Sequence, residues 1–302
     1  MKKIKCAKKL WSFAYFCTMN VFQQEVLDYL RTISCDVEIC DDNEVSVLRC
    51  AETGISVIAV PLQFFRQGRD VEALAAAFSG LNDRIFLYED RWLSCGTVVR
   101  SMLRVRTGGG MNVFARNCEV RPVSHETAAA FLGRNHVYGP ARAAVRLGLF
   151  RVRSTGRTEA GMDMTPALAA VATFSDGRVM EDGRISYEWV RYASCMGVRV
   201  LGGMGRLLDA FVSMKGQDAP FDVMSYCDLE WYDGRSYRRL GFEDSGYRSP
   251  VEFVYLPMDG IRIHAHKLSS DRRYRGLDVS EGVTLYNMGS QRFVRHCVGD
   301  CQ

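Results

Sequence analysis

At 302 residues the chain is long enough for two modest domains, each with its own core. With 47% hydrophobic and 25% charged residues it is not a disordered or collagen-like polymer, and a net charge of +4 is too small to assign a polyanionic partner by itself. Eleven cysteines, an odd number at irregular spacing, do not form a disulfide framework and point to a reducing cytoplasm. No Cys and His set has zinc-site spacing, so no metal is expected.

The charge is unevenly spread. Residues 20–90 hold five Arg and no Lys against thirteen Asp and Glu, whereas residues 101–160 hold ten Arg against three acids. An arginine-rich 100–157 segment beside an acidic unit could meet nucleic-acid phosphates, and its arginines could equally be solvated or pair with that unit. The acidic unit itself could dock a protein partner. At the N-terminus, Lys2, Lys3, Lys5, Lys8 and Lys9 precede an apolar run that holds Ser12, Thr18 and Asn20. That run is too short to span a bilayer and no small-residue cleavage site follows it, so residues 1–20 read as a basic leader with no membrane role.

In chain order, Phe22, Val26, Tyr29, Leu30 and Ile33 share one face at helical spacing. Apolar strands are expected over 44–48 and 55–62, an Ala-rich helix over 70–78, a strand over 84–87 and a helix over 90–103. Thr107-Gly108-Gly109-Gly110 is the best linker, because consecutive glycines leave the backbone unrestrained. A second unit follows: a strand over 118–122, a helix opened by Ser124 as N-cap, a hairpin of 145–152 and 168–174, and a strand over 187–193. A helix over 205–214, a strand over 223–226, a helix around 236–240 and a strand over 251–256 complete a mixed sheet. The fold class is α/β (α+β), divided as leader 1–20, a unit over 21–106, a unit over 112–267 and an extension over 268–302.

Three pieces of the second unit suggest chemistry. Val200-Leu201-Gly202-Gly203-Met204-Gly205-Arg206 runs from a strand into a helix, where backbone amides and the helix N-terminus favour a pyrophosphate. Such loops are also common as plain tight turns. Ser225-Tyr226-Cys227-Asp228 ends a strand, and Tyr237-Arg238-Arg239-Leu240-Gly241-Phe242 follows. In this order and spacing the chain resembles the GNAT-type N-acyltransferases. The resemblance implies an acyl-CoA, acetyl-CoA in the simplest case, held by Gly202, Gly203, Gly205 and Arg206 together with the backbone of Val198 and Val200. It also implies that Tyr237 protonates the departing thiolate. The superfamily's loop usually opens with Arg or Gln where this chain has Val200.

A longer series looks like a phage and mobile-element family, often called homing-endonuclease-like, in which a Vsr-type nuclease domain is fused to a GNAT-like domain. It comprises Ile85-Phe86-Leu87-Tyr88-Glu89-Asp90-Arg91-Trp92, Asn135-His136-Val137-Tyr138-Gly139, Glu188-Trp189-Val190-Arg191-Tyr192 and Tyr286-Asn287-Met288-Gly289-Ser290. That resemblance implies a degenerate PD-(D/E)XK-like first domain. The family's metal-holding acids would fall at Ser46 and Ile58, Pro61 replaces a usual glycine, and Glu25, Glu44 and Glu52 do not restore a pair.

Four polar residues, His136, Glu188, Arg191 and Asp228, are placed near a cleft. Against this, His136 could satisfy a turn, Asp228 could be an Asx-turn residue and Tyr237 could be a core aromatic with a bonded hydroxyl. Glu188 and Arg191, three apart on a strand, should face opposite sides. The leading expectation is an N-acyltransferase acting on an amine, including the exocyclic amine of a nucleic-acid base, with Glu188 or Asp228 as base and Tyr237 as acid. The alternative is a non-enzymatic nucleic-acid-binding or adaptor protein of a mobile element.

Overall fold

The computed structural model describes residues 19–34, 36–42, 44–152, 168–216 and 220–297. Most of the basic leader, and Arg153 and Arg157 of the arginine-rich segment, lie outside the described residues.

Asn20 and Gln23 close a capping box that starts α1 (Val21–Ile33). Its apolar stripe, Phe22, Val26 and Leu30, packs on the first sheet. That sheet has the order β1 (Val37–Asp42), β2 (Val45–Cys50), β3 (Ser56–Val60), then β4 (Arg84–Tyr88); only the β3–β4 pair is parallel. Between β3 and β4 lie the short helices α2 (Leu62–Arg66) and α3 (Val71–Ala77). The helix expected over 90–103 is two helices, α4 (Glu89–Ser94) and α5 (Gly96–Arg106), broken at Cys95. β1 was not expected: its acidic residues hide the alternation of Val37 and Ile39, as suits a charged edge strand.

The second unit runs β5 (Met111–Phe114), β6 (Cys118–Pro122), α6 (His125–Asn135), β7 (Val145–Arg151), β8 (Leu168–Phe174), β9 (Arg178–Val179) and β10 (Ile185–Ser194). It continues through β11 (Val198–Leu201), α7 (Gly203–Lys215), β12 (Phe221–Asp228), α8 (Arg235–Arg239) and β13 (Glu243–Arg248). Then come β14 (Glu252–Leu256), β15 (Ile261–His264), α9 (Ala265–Ser270), β16 (Val283–Tyr286) and β17 (Ser290–Cys297). The mixed sheet has the order β13-β17-β12-β10-β8-β7-β6, with β9 beside β10. Its one parallel pair is β10–β12, joined through α7 as a parallel pair requires. Phe211 of α7 stacks on Phe174 with centroids 3.9 Å apart, at the centre of the core on that face.

Two boundaries move. The stretch over 268–302 is no mere extension, because β17 lies between β12 and β13 and completes the sheet. The strand expected over 251–256 does not join that sheet; β14 forms a separate one with β15 and β16. Phe253, Tyr255, Val283 and Leu285 of this small sheet cover Val45, Val47, Ile58 and Phe86 on the acidic unit. The first sheet is therefore buried on both faces, which is why β3 is buried throughout and apolar from Val57 to Val60.

A second stitch joins the units. The turn after β12 sends Trp231 into the core beneath α1, while Phe86 N–H donates to Glu230 O at 2.7 Å. At the junction Arg262 lies between Glu230 (2.9 Å) and Asp90 (3.5 Å), all three side chains within 2% of complete burial. Removing the cation alone strands two carboxylates. Arg262→Met is expected to cost about 3–5 kcal/mol in urea unfolding, and adding Asp90→Asn and Glu230→Gln to recover most of it.

Candidate functional site

The parallel strands β10 and β12 pair only from Ile185↔Phe221 to Glu188↔Met224. Beyond that point β10 follows β8 and β12 follows β17, so an opening begins between Trp189 and Ser225. Tyr237 sits at it. Ser225 Oγ donates to Trp189 O at 3.0 Å and lies 3.0 Å from Tyr237 Oη. The serine proton is committed to the carbonyl, which leaves Tyr237 as the donor in the second bond. Gly234, at φ 80°, starts α8 where a Cβ would strike the Phe293 ring. This close approach lets Tyr237 stack on Phe293 at 5.1 Å. Burial pushes the Tyr237 hydroxyl up to about 12, so it stays protonated through the neutral range.

On the same face as Tyr237, α7 begins at Gly202, φ 77°, with no side-chain cap and no acid in its first turn. The amides of Gly203, Met204 and Gly205 have no intrahelical partner, and Arg206 is exposed beside them. The glycines also have packing reasons. A Cβ on Gly203 would lie 2.7 Å from Tyr192 Oη and 2.8 Å from Val200 Cγ1, and one on Gly205 would lie 3.2 Å from Leu240 Cδ2.

Val198 and Val200 are displaced from the role expected of them. They belong to β11, which leaves the sheet after Gly197 (φ 71°) and pairs with β5, Val198↔Met111 and Val200↔Val113. Val198 is buried and Val200 half-buried in the core under α7. The edge of the central sheet that faces the opening belongs to β10 past Glu188.

The expectation that Glu188 and Arg191 face opposite sides fails for an identifiable reason. The β8–β10 register shifts between Trp189 and Arg191, and such a bulge reverses the side-chain parity beyond it. Tyr187, Trp189 and Tyr192 line the α7 core, whereas Ala193 packs under α6. Glu188 and Arg191 therefore share the α6 face, close enough for the carboxylate to act on the guanidinium. Asp228 lies on this face too. Its Oδ2 accepts from Tyr138 Oη at 3.0 Å, and its Oδ1 accepts from Glu230 N–H at 2.9 Å as an Asx turn. His136 Nδ1 accepts from Tyr138 N–H at 3.1 Å. Burial, with Arg191 and Arg91 nearby, lowers the His136 pKa to about 3.

His136 and Asp228 thus hold Tyr138, whose ring lies 4.3 Å from the Arg91 guanidinium and 5.8 Å from that of Arg191. Of the four polar residues on this face, Glu188 alone offers a side chain without a bonded partner among the described residues. Sequence reasoning missed Ser225, Tyr138 and Arg91 as functional groups. Ser225 and Tyr138 stood inside quoted motifs, but nothing local reveals a hydrogen bond across an opening or a bulge.

The arginine-rich segment is largely engaged with its own chain. Arg100 stacks on Trp92 at 3.9 Å, Arg104 donates to Gly109 O at 2.9 Å, Arg106 donates to Trp231 O at 2.8 Å and Arg121 pairs with Glu119 at 2.5 Å. In the acidic unit, a cavity of about 370 Å³ lies between Gln23, Glu44, Ser46, Pro61, Gln67 and Arg69. The nearby acids are occupied: Glu44 pairs with Arg69, Glu25 accepts from Trp92 Nε1 at 2.8 Å and Glu89 accepts from Leu62 N–H at 2.7 Å. Among the described residues no group of three or more His, Cys, Asp or Glu could hold a metal ion, and no helix is long and apolar enough to cross a membrane.

No protein-family model matches the chain, and no curated protein matches it. Solved acetyltransferases resemble it in structure. The ribosomal-protein-S18-alanine N-acetyltransferase from Escherichia coli matches 61% of this chain and 98% of its own, at 13% identity and a TM-score of 0.32. The histone acetyltransferase HPA2 and related acetyltransferase from Corynebacterium glutamicum matches 77% of this chain and 91% of its own, at 13% identity and a TM-score of 0.28.

Because His136 is held neutral, its contribution to stability is complete above its ordinary pKa of about 6.5 and is lost as the pH falls towards about 3. The urea midpoint should decline over this range. His136→Asn, which keeps an acceptor for Tyr138 N–H and cannot titrate, should reduce that decline relative to the wild type.

Proposed function

We propose that the chain is a GNAT-type N-acyltransferase that carries an acyl group from an acyl-CoA to an amine. The observation that carries this reading is the protonated Tyr237 hydroxyl at the opening between β10 and β12, with the uncapped start of α7 on the same face. The strand order supports it, since it leaves one parallel pair, joined through α7, to part at the centre of an otherwise antiparallel sheet.

The first turn of α7 fits a pyrophosphate: three amides without intrahelical partners, an exposed Arg206 and no carboxylate. When bound, the acyl-CoA supplies the thioester. The unpaired edge of β10 past Glu188 offers a backbone N–H to polarise its carbonyl. The amine nitrogen attacks the carbonyl carbon, a C–N bond forms and the C–S bond breaks. Tyr237 gives its proton to the departing sulfur, and Glu188, on the other face, takes the amine proton through water. The exocyclic amine of a nucleic-acid base is the acceptor that the sequence resemblance suggests. In the same reading the acidic unit is a nuclease-like domain without catalytic acids, since Ser46 and Ile58 stand where a metal would need carboxylates and Glu44 is spent on Arg69.

Tyr237→Phe is expected to lower kcat about 10²–10⁴-fold while leaving the affinity for desulfo-CoA unchanged in isothermal titration. Arg206→Glu, on the surface, should weaken desulfo-CoA binding about tenfold through lost charge at the helix start. If the wild type binds no CoA compound at all, the adaptor reading takes the place of the enzyme.

A further inference from the structure

If the acyl donor lies on the α7 side, Glu188 marks the side from which the acceptor comes, so this inference rests on the reading above. Strand register fixes what surrounds Glu188 there. β12 presents Met224, Tyr226 and Asp228; Arg292 of β17 stands beside Tyr226, and Arg248 of β13 beside Ser290, the partner of Asp228. The α6 helix packs over Val171 and Ala193, and Tyr226 remains half-buried beyond it.

Arg191, Arg248 and Arg292 on this face have no carboxylate within ion-pair distance among the described residues. Arginines near the same strands do: Arg184 with Asp222, Arg238 with Asp244 and Arg295 with Asp209. Asp228 could answer the charge, but both its oxygens are taken by Tyr138 and the Glu230 amide. Arg292 Nε is moreover buried without a hydrogen-bond partner. Arg191 spends Nε and one Nη on the Gly139 and Val190 carbonyls, and Arg248 is exposed. Half-buried Arg292 has neither a counter-charge nor a partner for Nε, so an anion from outside is what would complete it, with Arg248 at hand to share it.

The spacing narrows the anion. From β10 to β13 is three inter-strand steps, about 14 Å, too far for one phosphate or carboxylate and suited to successive charges along a chain. Between these cations the Arg248 guanidinium lies 4.3 Å from the Tyr226 ring centre. A cation stacked on an aromatic ring is a platform for an unpaired base. We propose that this face binds single-stranded nucleic acid as the acceptor, with Arg191, Arg248 and Arg292 on its phosphates and an extruded base beside Tyr226, its amine directed to Glu188.

The test is fluorescence anisotropy of a labelled single-stranded oligonucleotide against the full chain, over a range of salt and with no acyl donor present. Arg248→Gln and Arg292→Gln should each reduce the slope of log K against log salt by about 0.7, the value for one single-strand phosphate contact. Tyr226→Leu should weaken binding about tenfold through lost stacking. Arg49→Gln, an exposed change on β2 of the acidic unit, should leave slope and affinity as they are. Absence of binding by the wild type, slopes unchanged in both arginine variants, an equal loss in Arg49→Gln, or tighter binding of the matching duplex would each overturn the proposal. Because the assay needs no acyl donor, its result is read separately from desulfo-CoA binding, so failure of this surface and failure of the acyl-donor site are distinguishable.

Discussion

Full burial of a guanidinium is costly unless counter-charge meets it, and this constraint on Arg262 sets the relation between the parts of the molecule. Asp90 comes from the helix after β4, Glu230 from the turn after β12, and Arg262 from β15, so one ion group ties together three sheets. Burial pushes the Glu230 carboxyl up even as Arg262 pulls it down, which means the site is held at some cost in solvation. Packing around it offsets that cost: Trp231 enters the core under α1, and Tyr255 and Leu285 close the other face of the first sheet.

The same junction reaches the candidate site. Arg91 follows Asp90 on one helix and lies against Tyr138, which in turn holds Asp228 at the end of β12. Through these contacts the acidic unit braces the loop after α6 and the end of a central strand. Whatever its ancestry, that unit is a structural part of the site's wall. In its own polar cavity Glu44 is spent on Arg69.

Much of the element pattern was legible from periodicity and capping residues. The α1 stripe, the Ser124 cap, the hairpin of β7 and β8 and the glycine start of α7 all follow from local rules. What was hidden is non-local. Phe253 and Tyr255 alternate as they would in any sheet, and only tertiary packing decides that they cover the acidic unit. β17 lies far along the chain from β12, yet it pairs with it over eight residues. At the site, Tyr237 and the glycine loop could be named from order and spacing, but the faces of Glu188 and Arg191 could not. A single-residue bulge reverses parity, and nothing in Glu188-Trp189-Val190-Arg191 announces one. Val198 and Val200 were misplaced for a similar reason, because Gly197 turns the strand towards β5.

In the proposed reaction an acyl donor occupies the opening between β10 and β12 and rests its pyrophosphate on the start of α7. Hydrogen–deuterium exchange of the full chain with and without desulfo-CoA tests it most directly. Slower exchange is expected at the amides of Gly203, Met204 and Gly205 and along β10 from Trp189 to Tyr192, with no change around Gln23, Ser46 and Gln67. Protection confined to that polar cavity, or none at saturating ligand, would contradict it.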